Sequence, residues 1–227
     1  MIDASKHASL FDADKMPKAG VLVVGLGSIG SRLALHLAEL DVLSAVMDDD
    51  RVEGHNIANQ AYTKHDYAND SYKVDAMHAM VYQKGGGSIE TIQGRAKNGI
   101  KLLYGTVACC IDSMDGDSGR IRLFDGVSGN GVTKLFIDCR MTATSVMVYV
   151  LDPSEDTQAQ RYRETLYPDS DVVEETGGCG LTQSLGATAQ LAASLATVRI
   201  IDWIMGGKRV FETLMDWKTG LYMEQPL

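Results

Sequence analysis

Short apolar runs alternate with helical patterns along the first two-thirds of the chain. Within residues 20–30, a mostly β-branched apolar run reads as a buried parallel strand, and glycines then open a turn. Residues 31–40 (SRLALHLAEL) put Leu33, Leu37 and Leu40 at helical spacing. A second apolar strand is predicted over 43–47, ending in Asp48, Asp49 and Asp50. After a polar stretch over 51–71, residues 73–84 (KVDAMHAMVYQK) repeat apolar positions at helical spacing until Gly85, Gly86 and Gly87 stop them. Further strands are predicted over 88–93, 106–111, 135–140 and 145–151, with a helix over 117–127. This alternation predicts an α/β fold with a doubly wound, mostly parallel, Rossmann-like sheet.

The last third breaks the rhythm. Residues 152–178 are polar and read as one short helix and a crossing loop. Residues 181–205 are rich in Ala and Leu, and Gly206 and Gly207 end them as a helix cap would. Residues 209–215 and 221–224 flank a turn and read as a terminal hairpin. The simplest partition is one nucleotide-binding domain over 1–227. It comprises an N-terminal extension (1–19), a Rossmann-like core (20–151), and a crossover loop, long helix and hairpin (152–227).

Composition narrows the function classes. The 227 residues are 45% hydrophobic and 22% charged, which fits a globular chain. Thirty acidic residues against 21 basic ones give a formal charge of -9, which argues against a nucleic-acid binder. Residues 177–207 carry Gln183, Gln190, Arg199 and Asp202, so they read as a buried helix and not as a membrane span. Residues 1–18 have no apolar run, so no secretory signal is expected. Cys109, Cys110, Cys139 and Cys179 form no C-x-x-C pair, so a cytoplasmic protein with reduced thiols and no zinc site is expected.

Gly25, Gly27 and Gly30 spell G-x-G-x-x-G between a strand and a helix. The first permits the tight turn, the second lets backbone N–H groups approach a phosphate, and the third lets helix and strand pack closely. Asp48 stands 18 residues beyond Gly30, at a strand end where a carboxylate can accept ribose hydroxyls. The turn therefore reads as a nucleotide site, with NAD and ATP both compatible. Its alternative is a purely structural glycine turn.

Asp48, Asp50, Val52, Asn56, Gln60, Lys73, Asp112, Asp115 and Arg120 follow one another in an order that resembles the ThiF/MoeB/HesA family, bacterial relatives of ubiquitin-activating enzymes. The family order is a glycine turn, D-x-D-x-V with N-x-x-R-Q, a lysine, then D-x-x-D-N with a downstream arginine. Asp48, Asp50 and Val52 match the first acidic motif, Asn56 and Gln60 the second, Lys73 the lysine, and Asp112, Asp115 and Arg120 the last. Cys179 precedes a long helix as the family's crossover-loop cysteine does. The resemblance implies ATP-dependent formation of an acyl-adenylate on the C-terminal carboxylate of a ubiquitin-like or sulfur-carrier protein. It implies ATP and Mg²⁺ as cofactors, Asp115 as the metal ligand, Lys73 and Arg120 as phosphate-facing cations, and a homodimer with the helix over 181–205 as candidate interface. Adenylation needs no side-chain nucleophile; positioning and charge stabilisation carry it.

The chain departs from the family pattern at several positions. Asn59 stands where the motif has arginine, and it cannot fork onto phosphate as a guanidinium does. Gly116 stands where the last motif has asparagine, and no arginine precedes Arg32. Arg51 is a candidate replacement cation. These losses favour an alternative: a nucleotide-binding scaffold that has lost adenylation and recruits a partner. An NAD-dependent oxidoreductase is a third reading, weakened because Asn56, Gln60, Lys73 and Asp115 have no role in it. Cys179 reads either as a reactive thiol near a helix start or as an idle loop thiol. Cys109 and Cys110 read as core, as do Met77 and Met80. Cys139 reads as buried, Arg140 as lining a groove or pairing with Asp138, and His36 and His78 as surface or edge residues.

Overall fold

A computed structural model describes residues 10–96, 102–114, 116, 119–171 and 185–227. Its centre is β1 (Val21–Val24), whose four side chains are all buried. Val21 and Val23 enter one core and Leu22 and Val24 the other, so the strand is apolar throughout and does not alternate with polar residues. On one side of β1 lie β2 (Leu43–Asp48) and then β3 (Glu90–Gln93); on the other lie β4 (Thr106–Cys109) and β5 (Leu135–Met141). These five strands pair in parallel. Three antiparallel strands extend the sheet beyond β5: β6 (Ser145–Leu151), β7 (Val210–Asp216) and β8 (Leu221–Pro226).

Helices cover both faces. On one side α1 (Ser28–Glu39), α3 (Lys73–Gln83) and α6 (Gly186–Met205) bury residues such as Leu33, Leu37, Met77, Ala192 and Ala196. On the other, α4 (Arg120–Ser128) and α5 (Asp156–Arg163) supply Leu123, Phe124 and Tyr162. Phe124, Phe136 and Tyr162 meet with centroids 4.4–5.4 Å apart. The small residues Ala189, Ala192, Ala193 and Ala196 line the buried side of α6, which packs on α1 and on β5–β6. Among the described residues no helix is long and apolar enough to cross a membrane.

The predicted α/β architecture stands. The strand over 145–151 and the terminal hairpin fall where the pattern puts them. The structure differs at the first helix, which begins at Ser28 inside the glycine motif, with Gly27 as its N-cap. A short helix, α2 (Lys64–Ala68), occupies the polar stretch where no element was predicted; the Thr63 hydroxyl and the Asp66 carboxylate form its capping box. Of the helix predicted over 181–205, residues 181–184 lie outside the described residues.

Candidate functional site

A pocket of about 340 Å³ opens at the carboxyl ends of β1, β2 and β4, beside the N-terminus of α1. Open α/β sheets place ligands at such strand ends. The glycine turn forms one wall. Gly25 has φ +85°, and a Cβ there would meet the Cys110 carbonyl oxygen at 2.7 Å. A Cβ on Gly30 would lie 1.8 Å from the Gly25 carbonyl oxygen, so helix and turn approach as closely as glycine allows. Gly27 differs: a Cβ there meets nothing within 4 Å and would project into the pocket it lines. Gly27 and Ser28 bring the first turn of α1 to this wall, where N–H groups without intrahelical partners favour anions.

Asp48 ties β2 to the turn. Its Oδ2 accepts the Leu26 N–H at 2.6 Å and its Oδ1 accepts the Asp50 N–H at 2.8 Å. Burial raises its carboxyl above the usual range, although Lys73 and the two N–H groups oppose the shift. The Tyr62 hydroxyl donates to the Leu26 carbonyl at 3.0 Å and holds the long polar loop against the same turn.

Lys73 reaches the pocket because the chain doubles back. Val52 N–H donates to the Ser71 carbonyl and Lys73 N–H to the Asp50 carbonyl, which lays residues 50–52 beside 71–73. Lys73 Nζ then sits 2.8 Å from Asp50 Oδ2, its side chain only 7% exposed. Arg51 also lines the pocket, stacked on Tyr72 at 3.8 Å and paired with Asp70 at 3.1 Å. Asn56 is buried, and its Oδ1 accepts the Glu53 N–H at 2.8 Å. The amide NH₂ is therefore the group it offers to a ligand. Gln60 lines the pocket, and its Oε1 is buried without a hydrogen-bond partner among the described residues.

The sequence-predicted residues Gly25, Gly27, Asp48, Asp50, Asn56, Gln60 and Lys73 thus share one pocket, together with Asp112. Gly30 stands just behind it in α1. Asp115 and Cys179 lie outside the described residues. Arg120 does not line the pocket. Its Nε donates to Asp138 at 2.8 Å, its Nη1 to the Asp112 carbonyl at 2.8 Å and its Nη2 to the Cys139 carbonyl at 3.1 Å. Burial disfavours its charge, but Asp138 more than compensates.

Asp138 is fully buried between two guanidiniums, because Arg140 Nε donates to its other oxygen at 2.7 Å and the Tyr162 hydroxyl adds a bond at 3.0 Å. Burial opposes its ionisation, yet Arg120 and Arg140 hold it below the usual carboxylate range. Of the two roles open to Arg140, the pairing with Asp138 is the one found.

The cysteine readings hold: Cys109, Cys110 and Cys139 are free and buried. A thiol hydrogen bond with Cys139, together with burial, pushes pocket-facing Cys110 well above the ordinary thiol range, so it is no ready nucleophile. His36 is not a surface residue in role: it bridges α1 and α6, 3.2 Å from the Thr197 hydroxyl and 2.8 Å from Gln190 Nε2.

Sequence reasoning passed over Arg95 and Ser113. Arg95 follows β3, lines the pocket and pairs with Asp49 at 2.6 Å. Its place just beyond a parallel strand's carboxyl end was the available signal. Ser113 donates to Asp169 at 2.8 Å, and the same carboxylate accepts the Met114 N–H at 2.6 Å, so a distant segment holds the loop after β4. Asp48, Asp49 and Asp50 place carboxylate oxygens within 4.8 Å of one another. With Asp49 on Arg95 and Asp50 on Lys73, two of the three are already neutralised, which makes them poor metal ligands as they stand.

Solved structures share this architecture. PaaA matches with a TM-score of 0.69 at 14% identity, over 94% of this chain and 74% of that one. E. coli MccB, solved with ATP, matches with a TM-score of 0.64 at 14% identity over 94% of this chain. The structure of MccB with MccA gives 0.65 at 14% identity over 95% of this chain. The chain spans about 65% of the MccB length. No curated protein matches the sequence. A family model covers residues 6–218, a span that takes in the glycine turn, the aspartates, Lys73 and the parallel strands that carry them: the chain belongs to the ThiF family.

Proposed function

We propose that this chain is an ATP-dependent adenylating enzyme whose substrate is the C-terminal carboxylate of a ubiquitin-like or sulfur-carrier protein. The observation that carries the reading is the convergence of Gly27, Asp48, Asp50, Asn56, Gln60 and Lys73 on one pocket at the strand ends. The open space before Gly27 suits a ligand with phosphates, and the Gln60 Oε1 left without a partner among the described residues suits a donor such as a ribose hydroxyl. That MccB was solved with ATP and with MccA supports a nucleotide and a second molecule as substrates on this fold.

In this reading the ribose lies against Asp48 and Asp50, and the phosphates follow the first turn of α1. Asn56 and Gln60 donate amide N–H bonds to phosphate oxygens. Lys73 neutralises charge as the carboxylate attacks the α-phosphorus and pyrophosphate leaves, a step in which preorganised donors lower the barrier. Arg120, held by Asp138 and two carbonyls, acts at one remove by fixing the loop that begins at Asp112. Asp115 would hold Mg²⁺, which would supply positive charge against the phosphates. Pairing of two copies through the outer face of α6, where Val198 is half exposed, is part of the same proposal.

Exchange of labelled pyrophosphate into ATP tests it. A ubiquitin-like or sulfur-carrier protein with a free C-terminal glycine should support exchange, and its C-terminally amidated form should not. Absence of exchange with a bound partner would favour the scaffold reading, which Asn59 at the motif-arginine position supports.

A further inference from the structure

Among the described residues five carboxylates line the pocket (Asp48, Asp49, Asp50, Glu53 and Asp112) against three arginine and lysine cations (Arg51, Lys73 and Arg95). Each of the three already has a carboxylate partner: Asp70, Asp50 and Asp49. Against that balance a further positive group turned toward the pocket favours a polyphosphate.

Arg32 is such a group. We infer that its guanidinium receives the β- and γ-phosphates, an inference that rests on the ATP reading above. Arg32 lies one helical turn beyond pocket-lining Ser28, on the same face of α1. Its Nη2 is 3.5 Å from the Asn59 carbonyl, next to pocket-lining Gln60, and also faces Gly186 at the start of α6. Its Nη1 donates to the neutral Gln190 Oε1 at 3.1 Å. Its Nε is buried with no hydrogen-bond partner among the described residues. Among the described residues Arg32 has no carboxylate within ion-pair distance.

A guanidinium held by two neutral oxygens, one of them at long range, is poorly satisfied. Moving it from Gln190 to phosphate exchanges neutral acceptors for charged ones, which gives shorter and stronger bonds. Gln190 keeps its contact to His36 through Nε2 when Arg32 leaves, so the α1–α6 interface loses little. The position also suits Asn59: the cation missing from that side chain is replaced by one resting on its backbone carbonyl.

Calorimetric titration of the full chain with Mg-ATP, AMP and pyrophosphate tests the assignment. Arg32→Gln should weaken ATP and pyrophosphate about 10- to 100-fold, as loss of a charge-assisted contact does, and leave AMP nearly unchanged. Arg32→Lys should recover most of the ATP affinity. Gln190→Ala frees the guanidinium without removing it and should leave ATP binding equal or tighter. If Arg32→Gln weakens ATP and AMP alike, or neither, or if Gln190→Ala loses as much ATP affinity as Arg32→Gln, Arg32 is structural and the inference falls. A parent chain that binds neither ATP nor AMP overturns the nucleotide reading, and this inference with it.

Discussion

Two charge clusters stand at the carboxyl ends of one sheet, and they are built on opposite plans. Around Asp138 the carboxylate meets Arg120, Arg140 and Tyr162, and the arginines spend their remaining N–H groups on the carbonyls of Asp112, Cys139 and Thr165 and on the Thr165 hydroxyl. Around Asp48–Asp50 the same residue types face a cavity, with Gln60 Oε1 and, just behind, Arg32 Nε left without partners among the described residues. A buried charge completed by its own chain holds the fold together. One left incomplete is available to a ligand. Residue type does not separate the two cases; the tally of partners does.

Breaking the closed cluster should give the largest change in stability. Asp138→Ala strands two buried guanidiniums, which costs about 3–5 kcal/mol in denaturant unfolding. Its acid dependence has a definite sign. Because the native carboxyl is held below its usual range, the stability it contributes is complete above the unfolded value of about 4 and is lost as pH falls toward the native one. Asp138→Asn should flatten that part of the stability–pH curve; an unchanged acid limb would mean that Asp138 is not the group responsible.

In the open cluster the effects move to binding. Gly27→Val puts a branched side chain into free space and should cost about 100-fold or more in ATP affinity, roughly 3 kcal/mol, while the melting temperature stays near the parent's. A folded Gly27→Val protein with parental affinity would exclude the turn as the phosphate site. Lys73→Ala should weaken ATP about tenfold or more, yet shift stability by less than about 1 kcal/mol, since its partner Asp50 is half exposed. Parental Mg-ATP affinity in Lys73→Ala would remove the lysine from the site. The smallest effect is expected at Asn59→Arg: pyrophosphate exchange unchanged or raised up to about tenfold, the worth of one added charged contact. A fall would show that the asparagine is needed as it stands.

Much of the open cluster was legible in the sequence because its parts are local. The glycine turn, Asp48 and Asp50 sit at the junctions of predicted strands, where hydrophobic period and glycine spacing mark them. The start of α1 at Ser28 was missed because an apolar periodicity reports where a helix buries its face, whereas Gly27, which caps it, has no side chain to reveal the boundary. The fate of Arg120 was not legible. It depends on Asp138, 18 residues away on β5, and only the pairing of β4 with β5 brings the start of α4 beside it. Arg32 was passed over for the same reason: its neighbours Asn59 and Gln190 come from a loop and a helix that converge only in the folded chain.

A crystal structure with a non-hydrolysable ATP analogue and Mg²⁺ tests the division between the two clusters most directly. The phosphates should follow the Gly25–Gly30 turn, with the ribose on Asp48 and Asp50 and Lys73 on the phosphates, while Arg120 keeps Asp138 and both carbonyls. A nucleotide bound elsewhere, or an Arg120 that has left Asp138 for a phosphate, would contradict it.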